Sequence, residues 1–353
     1  MSHNIVPKDT TAANRADLVA RFAALRATEP RIRVRDAALR LGASEGELAS
    51  RLPGAVMLRP DWTSLLHGLS AAGEVMALTR NEHCVHERHG RYEEVSVSGQ
   101  MGLVLGPDID LRLFLSRWRH AVFVPAGQPG SPRGSIQVFD AAGMALHKVF
   151  ATEATPEGAL ERLAAGLADP DAHPIEAETL PPKPAPRPDA EVDAEALREG
   201  WAALRDTHEF FPLLRRCHAT RQQAFRLAGP RWAERVAKDA VQVALSAAAR
   251  QEVPVMIFVG NPGCIQIHSG TVRNLVPMGP WFNVLDPRFN LHLRADAIAS
   301  AWLVRKPTED GIVTSIEVFD AEEELILMLF GLRKPGQPED PAWRALAEGA
   351  ARA

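Results

Sequence analysis

The sequence predicts an α+β fold built twice, as two tandem repeats that each run from helices into a large antiparallel sheet. Three observations carry this. Residues 75–150 align with residues 255–330 at a constant offset of 180 without a gap, giving 20 identities in 76 positions. That period far exceeds those of solenoid arrays, so it marks a duplicated domain. Seven prolines between Pro170 and Pro188 stand between the copies. Each fixes φ and removes a backbone donor, which excludes helix and sheet interior. Finally, each copy places helix-start signals ahead of strand-like segments spaced roughly ten residues apart. The expected division is residues 1–168, a proline-rich linker over 169–192, and 193–353.

The elements follow in order. Val34–Leu41 runs to Gly42-Ala43, and Ser44-x-x-Glu47 then opens a new helix as a capping box. The helix-turn-helix look of Asp36–Leu52 raises a DNA-binding reading, but the second helix would offer carboxylates rather than basic side chains. Scaffold is the preferred expectation. The linker is expected to be extended, semi-rigid and solvated, with a proline-rich partner ligand as the other reading. In the second copy Thr220-x-x-Gln223 repeats the capping device. Ala299–Val304, Ile312–Phe319 and Leu325–Phe330 then read as strands, divided by the turns Lys306–Gly311 and Asp320-Ala-Glu-Glu.

Composition narrows the function. Apolar residues make up 46% of the 353 and charged residues 24%, the balance of an ordinary folded protein. The net charge of −4 supplies no basic field for nucleic acid. No run approaches the roughly 20 apolar residues that a bilayer helix needs. The first eight residues lack the pattern of an export signal. Three cysteines (Cys84, Cys217, Cys264) with no C-x-x-C pair argue against a disulfide framework and for a reducing compartment. A cytoplasmic location is expected. Common nucleotide and zinc-protease motifs are absent from the sequence.

Chemistry is therefore sought where the copies differ. Trp201, Leu204, His208 and Phe211 recur at i, i+3, i+7 and i+10, which predicts one helical stripe. An imidazole there is either a hydrogen-bonded core histidine or a metal ligand, haem iron being the usual apolar-pocket case. Registering the capping boxes sets Ile32 opposite His208, so one copy alone has the imidazole. In Asp110-Leu-Arg-Leu-Phe-Leu115 the alternation sends Leu111, Leu113 and Leu115 to the core and leaves Asp110, Arg112 and Phe114 on the other face. That second face is either solvated or the wall of a pocket; the matching strand has His292 in place of Arg112. Lys306 is one of six lysines against 34 arginines and is expected at a strand end before a turn. With Arg221 and Arg333 it could serve a ligand with an apolar body and carboxylate tails, or be ordinary surface charge. His83, His86 and His89 fit no standard metal-binding face, and a secondary ligand site there is a lesser reading.

Several motifs in sequence order resemble the HemS/HmuS hemin-degrading factor family: Val75–Asn81, Gly106–Phe114, Arg205–Phe211, Thr220–Phe225, Phe289–Arg294, Ala299–Thr308 and Asp320–Ile326. Coverage runs from about Arg31 to about Ala347, the linker excepted. The resemblance implies a cytoplasmic protein of bacterial haem uptake, with haem b in a cleft between two similar α+β halves. It implies His208 as proximal iron ligand, Arg112 and Phe114 on the distal side, and Arg221, Lys306 and Arg333 near the propionates. It also implies polar residues on the last strand of the cleft, where this chain has Met328 and Phe330. The expected activity is oxidative haem degradation to release iron with an external electron donor and Arg112 as the catalytic group. A non-catalytic haem chaperone is the chief alternative, and a DNA-binding regulator a remote one. Implied partners are haem, a haem oxygenase or reductase, and the inner-membrane haem importer, with neither stable nucleic-acid binding nor membrane insertion.

Overall fold

The computed structural model describes residues 17–334 and 336–352; the export-signal reading of the first eight residues lies outside them. The first repeat begins with α1 (Leu18–Thr28), α2 (Val34–Arg40) and α3 (Glu45–Ala49), then β1 (Val56–Leu58) and α4 (Trp62–Ala71). Eight strands follow: β2 (Val75–Arg80), β3 (Cys84–Gly90), β4 (Ser96–Ser98), β5 (Met101–Leu105), β6 (Asp110–Phe114), β7 (His120–Val124), β8 (Ser135–Phe139) and β9 (Ala145–Ala151). Helix α5 (Ala159–Leu167) closes the repeat. The second repeat has the same order. It comprises α6 (Ala194–Ala202), α7 (Phe210–Arg216), α8 (Arg221–Ala228), β10 (Ala233–Val236) and α9 (Ala240–Gln251). Its strands are β11 (Val255–Asn261), β12 (Cys264–Gly270), β13 (Leu275–Met278), β14 (Trp281–Asp286), β15 (Phe289–Arg294), β16 (Ser300–Thr308), β17 (Gly311–Phe319) and β18 (Leu325–Gly331), before α10 (Pro341–Arg352).

The α+β class and the duplication are thus as the sequence predicts, and among the described residues the strands form two antiparallel sheets of nine. Two features go beyond a plain helices-then-sheet order. A strand from the helical region, β1 or β10, joins the edge of each ladder, giving β1-β7-β8-β9-β2 and β10-β16-β17-β18-β11. A helix also follows each sheet. Capping boxes start α3 at Ser44 and α8 at Thr220, with side chain and backbone bonds reciprocated. Helix α3 is buried from Glu45 to Ala49, so the second helix of the apparent helix-turn-helix presents no free face to a DNA groove.

The repeats do not map one-to-one onto compact units. One unit holds the chain up to Thr79, Arg88–Pro181 and the short segment Asn261–Ile265; the other holds Arg80–Glu87, Pro182–Gly260 and Gln266 onward. The retained identities Asn81/Asn261 and Cys84/Cys264 mark the turns where this happens. In the first unit Asn261 Oδ1 accepts from the backbone N–H groups of Gly263 (2.9 Å) and Cys264 (3.0 Å), while its amide donates to Leu146 O at 2.8 Å. In the second, Asn81 accepts from His83 and Cys84 N–H and donates to Ile326 O at 2.7 Å. A side-chain amide can satisfy donors and acceptors together, which fits asparagine to a turn that must also grip a neighbouring strand.

Within the second unit the ladder has two packed faces. Alternation sends Ala301, Leu303, Ile316, Val318, Leu327 and Leu329 to a core shared with α9 and α10. Trp302, Val304 and Phe319 face the other way, into an aromatic layer with Trp201, Phe210 and Phe225. The first unit repeats the plan on its own ladder. The proline-rich stretch has no helix or strand before Asp189 and is mostly exposed, but it is not wholly solvated as expected. Ile175 is buried among Leu48, Val122 and Phe139, and its N–H donates to Ser50 Oγ at 3.0 Å.

Candidate functional site

The predicted helical stripe through His208 does not form. Helix α6 stops at Ala202, and Asp206-x-x-Glu209 starts a new turn through a capping box of its own. Trp201 and Leu204 are buried, whereas the His208 side chain is 89% exposed and Phe211 points to solvent, with Phe210 buried in its stead. The sequence carried the signal for this break, because an Asp three residues before a Glu is an N-terminal cap. The Asp206 carboxylate accepts the His208 backbone N–H at 2.7 Å, and the same oxygen lies 2.6 Å from His208 Nδ1. The backbone N–H of His208 is the main cause holding the Asp206 carboxyl below its usual range; burial opposes it, and the His208 side chain and Arg333 add to the depression. With Nδ1 engaged by a carboxylate, Nε2 is the ring nitrogen left to bind a ligand.

Lys306 is also placed differently from the expectation. Strand β16 continues through it to Thr308, and Lys306 pairs across to Val313. Strand β10 covers only Ala301–Val304, which explains how Pro307 is tolerated in the strand. Lys306 is 2% exposed, fixed rather than flexible. It projects into the aromatic layer, with Nζ 4.8 Å from the Phe210 ring centre and 5.9 Å from that of Phe330. Its partner is Glu317, a fully buried carboxylate that the sequence reading passed over. Glu317 accepts from Lys306 Nζ at 2.8 Å, from Arg221 Nε at 2.5 Å and Nη2 at 3.0 Å, and from Ser315 Oγ at 3.1 Å. Burial pushes the Glu317 carboxyl up, but the Arg221 and Lys306 charges outweigh it and hold it at about 2. Burial pulls Lys306 down to about 8, against the attraction of Glu317.

Met328 and Phe330 line the same face. Met328 lies opposite Glu317 across the ladder, and its sulfur receives Arg221 Nη2 at 3.2 Å. Phe330 packs edge-on against Phe258 at 5.1 Å. The second unit thus gathers Arg221, Lys306, Glu317, Met328 and Phe330 into one cluster, reached through Phe210 two residues from His208. Arg333 follows β18 and pairs with Asp310 at 3.5 Å.

The corresponding positions of the first repeat carry different charges. Glu45 stands where Arg221 does, Gln137 where Glu317 does and Lys148 where Met328 does; Lys148 pairs with Glu45 at 2.5 Å. Alternation on β6 is as predicted, with Leu111, Leu113 and Leu115 buried and Asp110, Arg112 and Phe114 half-buried. Arg112 is held by the Asp110 carboxylate. Burial raises the Asp110 carboxyl despite that neighbour. On the second unit's strand, His292 Nδ1 lies 2.8 Å from Asn283 Oδ1.

Two further polar groupings lie in the interior. In the first unit His147 lies between Tyr92 OH at 2.5 Å from Nε2 and Thr79 Oγ1 at 2.9 Å from Nδ1, and Thr79 also meets Cys264 Sγ at 3.2 Å. Burial depresses His147 to about 3 and pushes the Cys264 thiol up to about 12, which keeps both uncharged at neutral pH. The histidines of the proposed secondary site have separate surroundings: His83 pairs with Asp320 at 3.4 Å and His86 is buried against Phe289 at 4.9 Å. Among the described residues no group of three or more His, Cys, Asp or Glu could hold a metal ion, and no helix is long and apolar enough to cross a membrane.

Comparison with known proteins gives one consistent answer. The model of the haemin-degrading HemS.ChuX domain matches twice, over residues 35–167 and 218–349. The hemin transport protein HmuS of Yersinia pestis is 42% identical over 335 residues, covering 93% of this chain and 96% of that protein. The structure of apo-PhuS, a heme-binding protein from Pseudomonas aeruginosa, superposes with a TM-score of 0.91 at 54% identity, covering 95% of this chain and 98% of that one. ChuS, an E. coli heme oxygenase, gives 0.85 at 36% identity over 95% and 99% of the two chains. With two domain matches spanning most of its length, the chain belongs to the haemin-degrading HemS.ChuX domain family.

Proposed function

We propose that this protein binds haem through Nε2 of His208 and serves bacterial haem utilisation in the cytoplasm, degrading the porphyrin oxidatively to release iron. The observation that carries the reading is the state of His208: an exposed imidazole with one nitrogen tied to Asp206 and the other available. A lone imidazole is a poor site for a bare ion, but it suits an iron whose remaining ligands arrive in a macrocycle. Phe330 and Met328, both half-buried, offer apolar and aromatic surface to such a ring. Arg221 and Lys306, with one carboxylate between them, leave a positive charge for carboxylate tails. Arg333 is assigned to the same tails, and Arg112 with Phe114 to the distal role that the family resemblance gives them, the guanidinium orienting the oxidant. Bound haem would supply the oxidative chemistry through its iron, while the protein supplies ligation, orientation and charge.

A transport reading stands beside this one because a relative at 42% identity is described as a hemin transport protein, whereas the heme oxygenase is 36% identical. In it, haem passes to a separate haem oxygenase after delivery from the inner-membrane importer. Hemin titration tests the shared core of both readings. One equivalent should give a sharp Soret band that His208→Ala weakens or shifts; an unchanged band overturns the assignment. Aerobic turnover with a reductase and catalase present, set beside anaerobic transfer to an apo-oxygenase, separates degradation from delivery. Catalase excludes destruction by free peroxide.

A further inference from the structure

The Asp206 carboxylate does two things with one oxygen. It accepts the His208 backbone N–H at 2.7 Å, which starts the turn, and it meets His208 Nδ1 at 2.6 Å, which fixes the ring. The carboxylate is fixed in turn, because Glu209 reaches back to the backbone N–H of Arg205 at 2.8 Å and of Asp206 at 3.3 Å. A helix cap alone requires only the backbone contact. The ring contact selects the tautomer protonated at Nδ1, turns the Nε2 lone pair outward, and shares the Nδ1 proton with an anion. A carboxylate on the far nitrogen makes an imidazole a stronger donor to a metal, and a stronger donor favours the more highly charged ion.

We infer that Asp206 is a positioning residue that acts through His208, orienting the imidazole and biasing bound haem iron toward the ferric state. The inference rests on His208 being the ligand, and adds that a neighbouring carboxylate sets how readily the iron accepts an electron. Among the described residues of the first repeat nothing matches the pair, since the equivalent positions are Pro30 and Ile32.

The test separates capping from electronic control. Asparagine and serine cap helices about as well as aspartate but carry no charge, so Asp206→Asn and Asp206→Ser should fold like the parent. In hemin-loaded full-length protein, Asp206→Asn should raise the ferrous-to-ferric ratio at a fixed solution potential about tenfold, an upward midpoint shift of ~59 mV for a one-electron couple. The iron–histidine stretching frequency of the ferrous form should fall in parallel. Both readouts should move the same way in Asp206→Ser. Unchanged potential and stretching frequency in the two capping variants would overturn the inference and leave Asp206 as a cap only. That outcome is distinct from failure of the ligand assignment, which would show as a Soret band indifferent to His208→Ala.

Discussion

Replacing Glu317 by glutamine tests the buried cluster directly. The carboxylate is fully buried and receives four hydrogen bonds, three of them from two cations. Its carboxyl sits at about 2 against an ordinary 4.5, and this gap of 2.5 units corresponds to about 3 kcal/mol. Losing one partner of a buried pair costs about 3–5 kcal/mol, because the remaining charge is stranded. Glu317→Gln is therefore expected to lower unfolding free energy in urea at pH 7 by roughly 3–4 kcal/mol. Linkage gives a second signature. A carboxyl depressed in the folded state contributes stability that is complete above its unfolded pKa and is lost as pH falls through the folded one. Wild-type stability should decline between about pH 4.5 and 2, and the variant should lack that part of the slope. Lys306 works in the opposite sense, since its lowered value makes the buried ammonium a cost that grows as pH falls from 10.5 and is complete below about 8. Removing both charges in Lys306→Met/Glu317→Leu should consequently cost less than Glu317→Gln alone. A loss below about 1 kcal/mol in the single variant, or a double variant as damaged as the sum of two singles, would refute the argument.

Three other outcomes are expected. Hemin dimethyl ester should bind more weakly than hemin, and Lys306→Met should narrow the difference in titrations followed at the Soret band; an equal preference in both proteins would sever the cluster from the carboxylate tails. Arg112→Ala should spare hemin affinity more than oxidative turnover, and equal loss of both would remove its distal role. His147, whose pKa falls from 6.5 to about 3 on burial, should make wild-type stability decline as pH falls through that interval. Thr79→Val/Tyr92→Val/His147→Leu, which installs the residues found at Val259, Val272 and Leu327, should flatten the decline in pH-dependent denaturation. A slope like the wild type's would refute it.

Period and alternation are local properties of the chain, and they revealed the fold. The offset of 180 carries β2 to β9 onto β11 to β18, and alternation on β6 placed its leucines correctly. Reading failed where a local cap overrode an apparent period. Trp201, Leu204 and His208 satisfy helical spacing, yet the bond from Asp206 to the His208 N–H starts a fresh turn and reorients the ring. Lys306 was misplaced for a related reason: Pro307 looks like a strand breaker, but the neighbouring strand β10 ends opposite Val304, so no ladder bond is asked of it. Glu317 was legible in part. It is the one difference inside Ser135-Ile-Gln-Val-Phe-Asp140 and Ser315-Ile-Glu-Val-Phe-Asp320, a new charge in an otherwise retained strand. What the strand pattern could not say is which cations it meets, since Arg221 comes from a helix 96 residues away in sequence.

That difference is one of four, with Glu45/Arg221, Ala126/Lys306 and Lys148/Met328, that give a duplicated fold an asymmetric charge. At the matched positions the first repeat holds Lys148 and Glu45, with Ala126 and Gln137 neutral, so their formal charge is +1 − 1 = 0. In the second it holds Arg221, Lys306 and Glu317, with Met328 neutral, and the sum is +2 − 1 = +1. A buried layer that balances itself has nothing left to offer an anion, whereas one with a surplus cation is relieved by binding one. Without Glu317 the two cations would face desolvation uncompensated; with a second carboxylate from the protein they would be quenched. On the proposed reading, one internal carboxylate against two cations keeps the second repeat folded when vacant and leaves it attractive to a carboxylate. The imidazole that would take the iron lies two residues from Phe210, the ring against which both cations rest. On the proposed reading, ligation and charge are concentrated in one copy of the domain, while the other retains the architecture without the surplus.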